Sequence, residues 1–123
     1  MVKLSQLKAD FAPKWFPFTL DVELEIRPAQ NPDFVEAARV AFKPHMRRYK
    51  VLTDTEKADI MKEPASKYLL TDWKGIEDME YSSANALELF NDPELPHFYA
   101  FVLEKAGDWQ QHLQLDLEDE KGN

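Results

Sequence analysis

The sequence predicts an α+β fold, mostly α-helical, with a short N-terminal strand or hairpin packed beside four or five helices. Three observations carry this reading. Residues Asp21 to Ile26 alternate polar and apolar with period two, the spacing of a half-buried strand. Good helix-capping residues (Asn31, Thr53, Ser82) each precede a run with helical features. Finally, Leu95, Phe98, Tyr99, Val102, Ala106, Trp109 and Leu113 recur at helical spacing and form one wide apolar stripe.

In chain order, the first element is a strand over residues 16–26. Val22, Leu24 and Ile26 share its apolar face, and Asp21, Glu23 and Glu25 share the other, which reads as a solvated face. Asn31-Pro32-Asp33 then opens a helix. Asn is a good N-cap, proline fits the first helical position, and Asp33 meets the positive end of the dipole. Phe34, Ala37, Ala38, Ala41 and Phe42 give its buried stripe, and Pro44 should end or kink it. Thr53 and Glu56 have capping-box spacing for a third segment, expected to run to Lys62, break at Glu63-Pro64 and resume to Leu70. Residues 71–76 read as a turn or short extended piece, with Gly75 at a positive φ. Ser82 and Ser83 cap a helix over residues 84–90, broken by Asn91-Asp92-Pro93. The last helix should begin near Leu95-Pro96 and run to about Leu113. The expected core is Val22, Leu24, Ile26, Phe34, Ala38, Ala41, Leu69, Trp73, Ile76, Leu87, Phe90, Phe98, Val102 and Trp109.

At 123 residues the chain has room for one ordinary domain, read here as residues 1–113, followed by an acidic flexible tail over 114–123. With 44% hydrophobic residues and 15 aromatics it can bury a real core. The absence of cysteine excludes disulfides, thiol nucleophiles and cysteine-ligated zinc. No apolar run approaches the ~18–20 residues that span a bilayer. The start, interrupted by Lys8, Asp10 and Lys14, does not read as a secretory signal, so the expected location is the bacterial cytoplasm.

Net charge is −8, which disfavours nucleic acid and anionic membranes as partners. The charge is unevenly spread: residues 1–62 carry 11 Lys+Arg and 9 Asp+Glu, and residues 63–123 carry 4 and 14. The bland reading is an acidic solvated surface; the functional one is a polarity that orients partners or copies of the chain. Residues 43–50 (KPHMRRYK) hold four of the fifteen basic residues and suggest either dipole complementation or a protein contact.

Nothing in the sequence reads as catalytic. His45, His97 and His112 have no partner at i+3 or i+4, so no helical metal pair exists. With three glycines there is no GxGxxG or GxxxxGK[ST] phosphate loop. The expectation is a non-enzymatic interaction protein without cofactor, metal or small-molecule substrate.

One stretch is more specific. Residues 69–78 (LLTDWKGIED), 81–93 (YSSANALELFNDP) and 98–106 resemble the tail assembly chaperones of long-tailed bacteriophages and prophages. Trp73, Gly75, Ile76, Asp78, Tyr81, Ser82, Asn85, Ala86, Leu89 and Pro93 fall on the matching positions. The resemblance implies a chaperone that coats the tape measure protein, keeps it soluble and yields to the tail tube protein, with self-association along its client. The residues themselves read as structural, with Trp73 and Ile76 as core plugs beside a Gly75 turn. Arg47, Arg48, Lys50, Trp73 and Lys74 are the expected protein-binding residues. The other function considered is an acidic module or inhibitor that captures a basic host protein.

Overall fold

The computed structural model of the protein describes residues 1–7, 11–46 and 51–107. A single turn, α1 (Leu4–Leu7), leads into strand β1 (Lys14–Pro17). Strand β2 (Glu23–Ile26) and helix α2 (Pro32–Phe42) follow, the helix ending in a 3-10 turn over Lys43–His45. Helix α3 (Asp54–Tyr68), strand β3 (Leu70–Lys74) and helix α4 (Ser83–Phe90) come next. The last described element, α5, is helical over 98–107. The fold is thus α+β and mostly helical, with one small antiparallel sheet of order β1-β2-β3.

The N-terminal strand expected over 16–26 is a hairpin. The chain turns at 18–22, where the Phe18 N–H donates to the Val22 carbonyl at 2.8 Å. Lys14 to Pro17 then pair with Ile26 to Glu23. The piece around Thr71 is a true strand, paired antiparallel with β2 across a long crossover. Thr71 is the extra residue of a bulge between the Glu25–Asp72 and Ile26–Leu70 pairs. Its hydroxyl donates to Glu25, with Oε1 at 2.8 Å, so Glu25 is tied to the ladder and is not simply solvated.

Helix α3 does not break at Glu63-Pro64; it runs through Pro64 to Tyr68. Proline there forfeits one intrahelical hydrogen bond, at a cost of ~3 kcal/mol in an isolated helix. Here Pro64 is buried, and it lines the cleft between α2 and α3, so packing outweighs local propensity. The caps behave as their residue types dictate. Thr53 and Glu56 form a complete capping box, and Ser82 accepts from the Asn85 N–H.

Asn31 does more than cap. Its Oδ1 accepts from the Phe34 N–H at 2.8 Å. Its Nδ2 donates to the Pro28 carbonyl at 2.8 Å and to the Tyr68 carbonyl at 3.1 Å. Fully buried, this one side chain joins the start of α2 to the end of α3.

One core joins the sheet to the helices: Leu24, Ile26, Leu70 and Trp73 from the strands, Phe34, Ala65, Ala86 and Phe90 from α2–α4, and Phe98, Tyr99, Val102 and Ala106 from α5. Leu69 completes it at the end of α3. Each fully buried aliphatic side chain contributes ~1.5–3 kcal/mol by leaving water. Of the expected core, Val22, Ala38 and Ile76 pack only partly buried at its margin, Ala41 and Leu87 are also only partly buried, and Trp109 lies outside the described residues.

A candidate protein-docking groove

The stretch from Trp73 to Pro93 and the β1–β2 turn together build an apolar groove of about 420 Å³. Gly75 is where they meet. Its φ is +93°, and a Cβ there would sit 1.8 Å from the Asp21 carbonyl oxygen. Only glycine lets β3 leave the sheet across the hairpin turn. That crossing brings Ile76 and Val22 into one groove lining.

The second wall depends on Trp73. This residue is 6% exposed, and its indole Nε1 donates to the Met79 carbonyl at 3.0 Å, holding loop 76–80 over the core. The Tyr81 ring meets Trp73 edge-on at 5.2 Å, and its hydroxyl donates to the Leu70 carbonyl at 2.7 Å. Burial holds the Tyr81 phenol above its ordinary pKa; the Asp72 and Glu25 carboxylates act in the same direction, against a hydrogen bond with Ser83.

Leu89, Leu95 and Phe98 complete the lining. Asp92 Oδ1 accepts from the Glu94 N–H at 2.9 Å, and the Leu95 N–H donates to the Asp92 carbonyl. These bonds turn the chain from α4 into α5 and set Leu95 above Phe98. Phe98 belongs to both core and groove. It meets Phe18 edge-on at 5.5 Å, and Phe18 meets Phe101 in the same way at 5.0 Å. Thr19 and Asp78 are the polar side chains of the lining. The groove therefore offers apolar contact and lacks the convergent polar groups that orient a small polar substrate.

The segments that follow Gly75 are acidic in sequence, and Asp78 is the charged residue of the lining. From Gly75 to Glu104 the chain holds seven acids and no lysine or arginine. Asp21 and Glu23 add two more on the hairpin side. Two bases border this region: Lys105 Nζ sits 5.5 Å from the centroid of Phe101, the ring that packs on Phe18, and Lys74 Nζ sits 4.0 Å from the Trp15 ring centroid.

The expected binding residues do not converge. Trp73 is a core residue that shapes the groove from behind, Lys74 lies on Trp15, and Arg47, Arg48 and Lys50 fall outside the described residues. His45 and His97 are exposed and far apart in the chain; His112 and the acidic segment 114–123 are likewise outside the described residues. Among the described residues no group of three or more His, Asp or Glu could hold a metal ion, and no helix is long and apolar enough to cross a membrane. Sequence reading missed the groove because four separate segments line it. A countable signal was present in the base-free stretch 75–104.

No curated protein and no solved structure matches the chain. The family model described as YdaY prophage protein matches residues 29–123, which takes in everything from the link before α2 onward and leaves out the β1–β2 hairpin. With well over half of its length matched, the chain belongs to the YdaY prophage protein family.

Proposed function

We propose that the chain is a phage tail assembly chaperone that binds the tape measure protein, assists tail tube assembly and performs no chemistry. The observation that supports this most is the apolar groove, to which the Trp73-to-Pro93 stretch that resembles the chaperones contributes Ile76, Asp78, Met79 and Leu89. A tape measure protein is long, helical and aggregation-prone; a chaperone for it needs apolar contact and a strongly charged, solubilising exterior. Membership of a prophage family agrees with that role. Co-expression with the tape measure protein of the same prophage tests it. The expected result is a soluble complex that dissociates when tube protein is added. A tape measure protein that aggregates equally with and without the folded chain overturns the reading.

The base-free stretch from Gly75 to Glu104 favours a second reading, an acidic module that captures a basic host protein. The two differ in salt response. Capture held mainly by charge falls steeply as salt rises, whereas a client held in an apolar groove survives.

A further inference from the structure

The groove is lined by the turn 18–22, the loop 76–79, Leu89 of α4 and residues 95–98, and among the described residues no part of β1, β2 or β3 lines it. It therefore presents no strand edge to an extended peptide. Such a peptide would bring N–H and C=O groups against apolar side chains with nothing to pair them, which is costly. A helix makes those bonds within itself. At about 420 Å³ the space is too small for a whole helix, ~10–12 Å across, and suits a few side chains from one helical face.

The lining and its border say which side chains those are. Phe18, Val22, Ile76, Met79, Leu89 and Leu95 are each only partly buried, so apolar area remains there for a partner to cover. Asp78 is exposed, and it is the charged side chain of the lining; Lys105 rests on Phe101, outside it. Leu20 sits in the same turn that supplies Phe18, Thr19 and Val22, yet is 103% exposed. Apolar surface thus continues from the groove onto the hairpin tip.

We propose that the groove reads one face of an amphipathic helix with a fixed pattern. Two large apolar side chains at i and i+4, ~5–6 Å apart, enter between Val22, Ile76 and Leu95. A lysine or arginine within one turn of them faces Asp78, and Leu20 lies along the outer flank of the helix. Asp78 and Leu20 are then specificity-determining residues: the first selects charge, the second adds apolar contact outside the groove. This deepens the chaperone reading and rests on it only for whose helix binds, one from the tape measure protein.

The test selects binders to the full chain from a library of ~20-residue helical peptides with one face randomised. Enriched peptides should carry large apolar residues at i and i+4 and a Lys or Arg within a turn. Selection on Asp78→Lys should enrich Asp or Glu at that charged position instead. An enriched peptide should gain helical circular dichroism on binding. Leu95→Asp should weaken it about tenfold or more, and Leu20→Ser about threefold to tenfold. Leu20 stands wholly in solvent, so its variant tests the contact without disturbing the fold. A library without binders, binders that stay extended, or a charge preference unchanged by Asp78→Lys overturns the proposal. Overlapping ~20-residue peptides of the tape measure protein separate the two readings. Library peptides that bind as described while no tape measure peptide does uphold the recognition and overturn the chaperone reading. A tape measure protein kept soluble by the parent chain, and equally by Leu20→Ser and Asp78→Lys, upholds the chaperone reading and overturns the proposal.

Discussion

Gly75 and Asp21 approach so closely that no side chain fits between them. A Cβ on Gly75 would lie 1.8 Å from the Asp21 carbonyl oxygen and 2.8 Å from its carbonyl carbon, both backbone atoms. Gly75→Ala must therefore push the β1–β2 turn away as well as hold alanine at a φ of +93°. The strained backbone alone costs ~1–3 kcal/mol. We expect a total loss of at least ~2 kcal/mol in chemical denaturation. Gly107→Ala is the control: nothing lies within 4 Å of the added Cβ in helix α5, so it should stabilise by ~0.5–1 kcal/mol.

Asn31 should be irreplaceable even by another strong cap. Asn31→Ala loses the acceptor for Phe34 and the donors to Pro28 and Tyr68, all at a buried site. A loss of ~2–3 kcal/mol is expected. Asn31→Asp keeps the cap but turns an oxygen toward two carbonyls. Equilibrium unfolding should find it no better than alanine, whereas at an exposed N-cap the two residues are equivalent.

Trp73→Phe keeps an aromatic ring in the core but removes the donor to Met79. The half-buried carbonyl left without its donor and the smaller ring together should cost ~1–3 kcal/mol. Amide exchange in residues 76–80 should accelerate more than in α2, because that loop is what the indole holds. Uniform acceleration would show that the indole serves the core alone.

Alkaline pH should destabilise the fold through Tyr81 and Tyr99. Both phenols are held above the ordinary value of 10.0, in each case chiefly by burial. Asp59 adds to the shift of Tyr99, whose hydroxyl donates to the Ala58 carbonyl at 2.7 Å. A phenol harder to ionise in the folded chain than in the unfolded one stabilises fully below the unfolded value. As pH rises past about 10 the unfolded chain releases its protons first, so stability falls. The slope of stability against pH in that range should be shallower in Tyr81→Phe and in Tyr99→Phe. An unchanged slope in both would place the titration elsewhere.

What was legible in the sequence was local chemistry. Asn31-Pro32, the Thr53–Glu56 box, the Ser82 cap and the positive φ of Gly75 follow from residue type and a partner within three positions or fewer. What was not legible depended on distant chain. Leu70–Lys74 is a strand because β2, more than forty residues earlier, offers it an edge. Helix α3 passes Pro64 because the α2 side buries it. Trp73 could be read as core or as contact, and only the fold shows it closed in behind Met79. The groove combines both limits: its apolar residues are visible along the chain, but its shape exists only where residues 18–22 meet 76–79, Leu89 and 95–98.

The hairpin that supplies Phe18, Thr19 and Val22 to the groove lies before residue 29, outside the span matched by the family model. It is fastened to the body by backbone pairing along β2, by the Gly75 crossing, and by Phe18 and Val22, which pack against the core. Between those two anchors Leu20 stands fully in solvent. A new side chain at Leu20 changes only the outer edge of the hairpin, whereas one at Phe18 or Val22 also repacks the helical body.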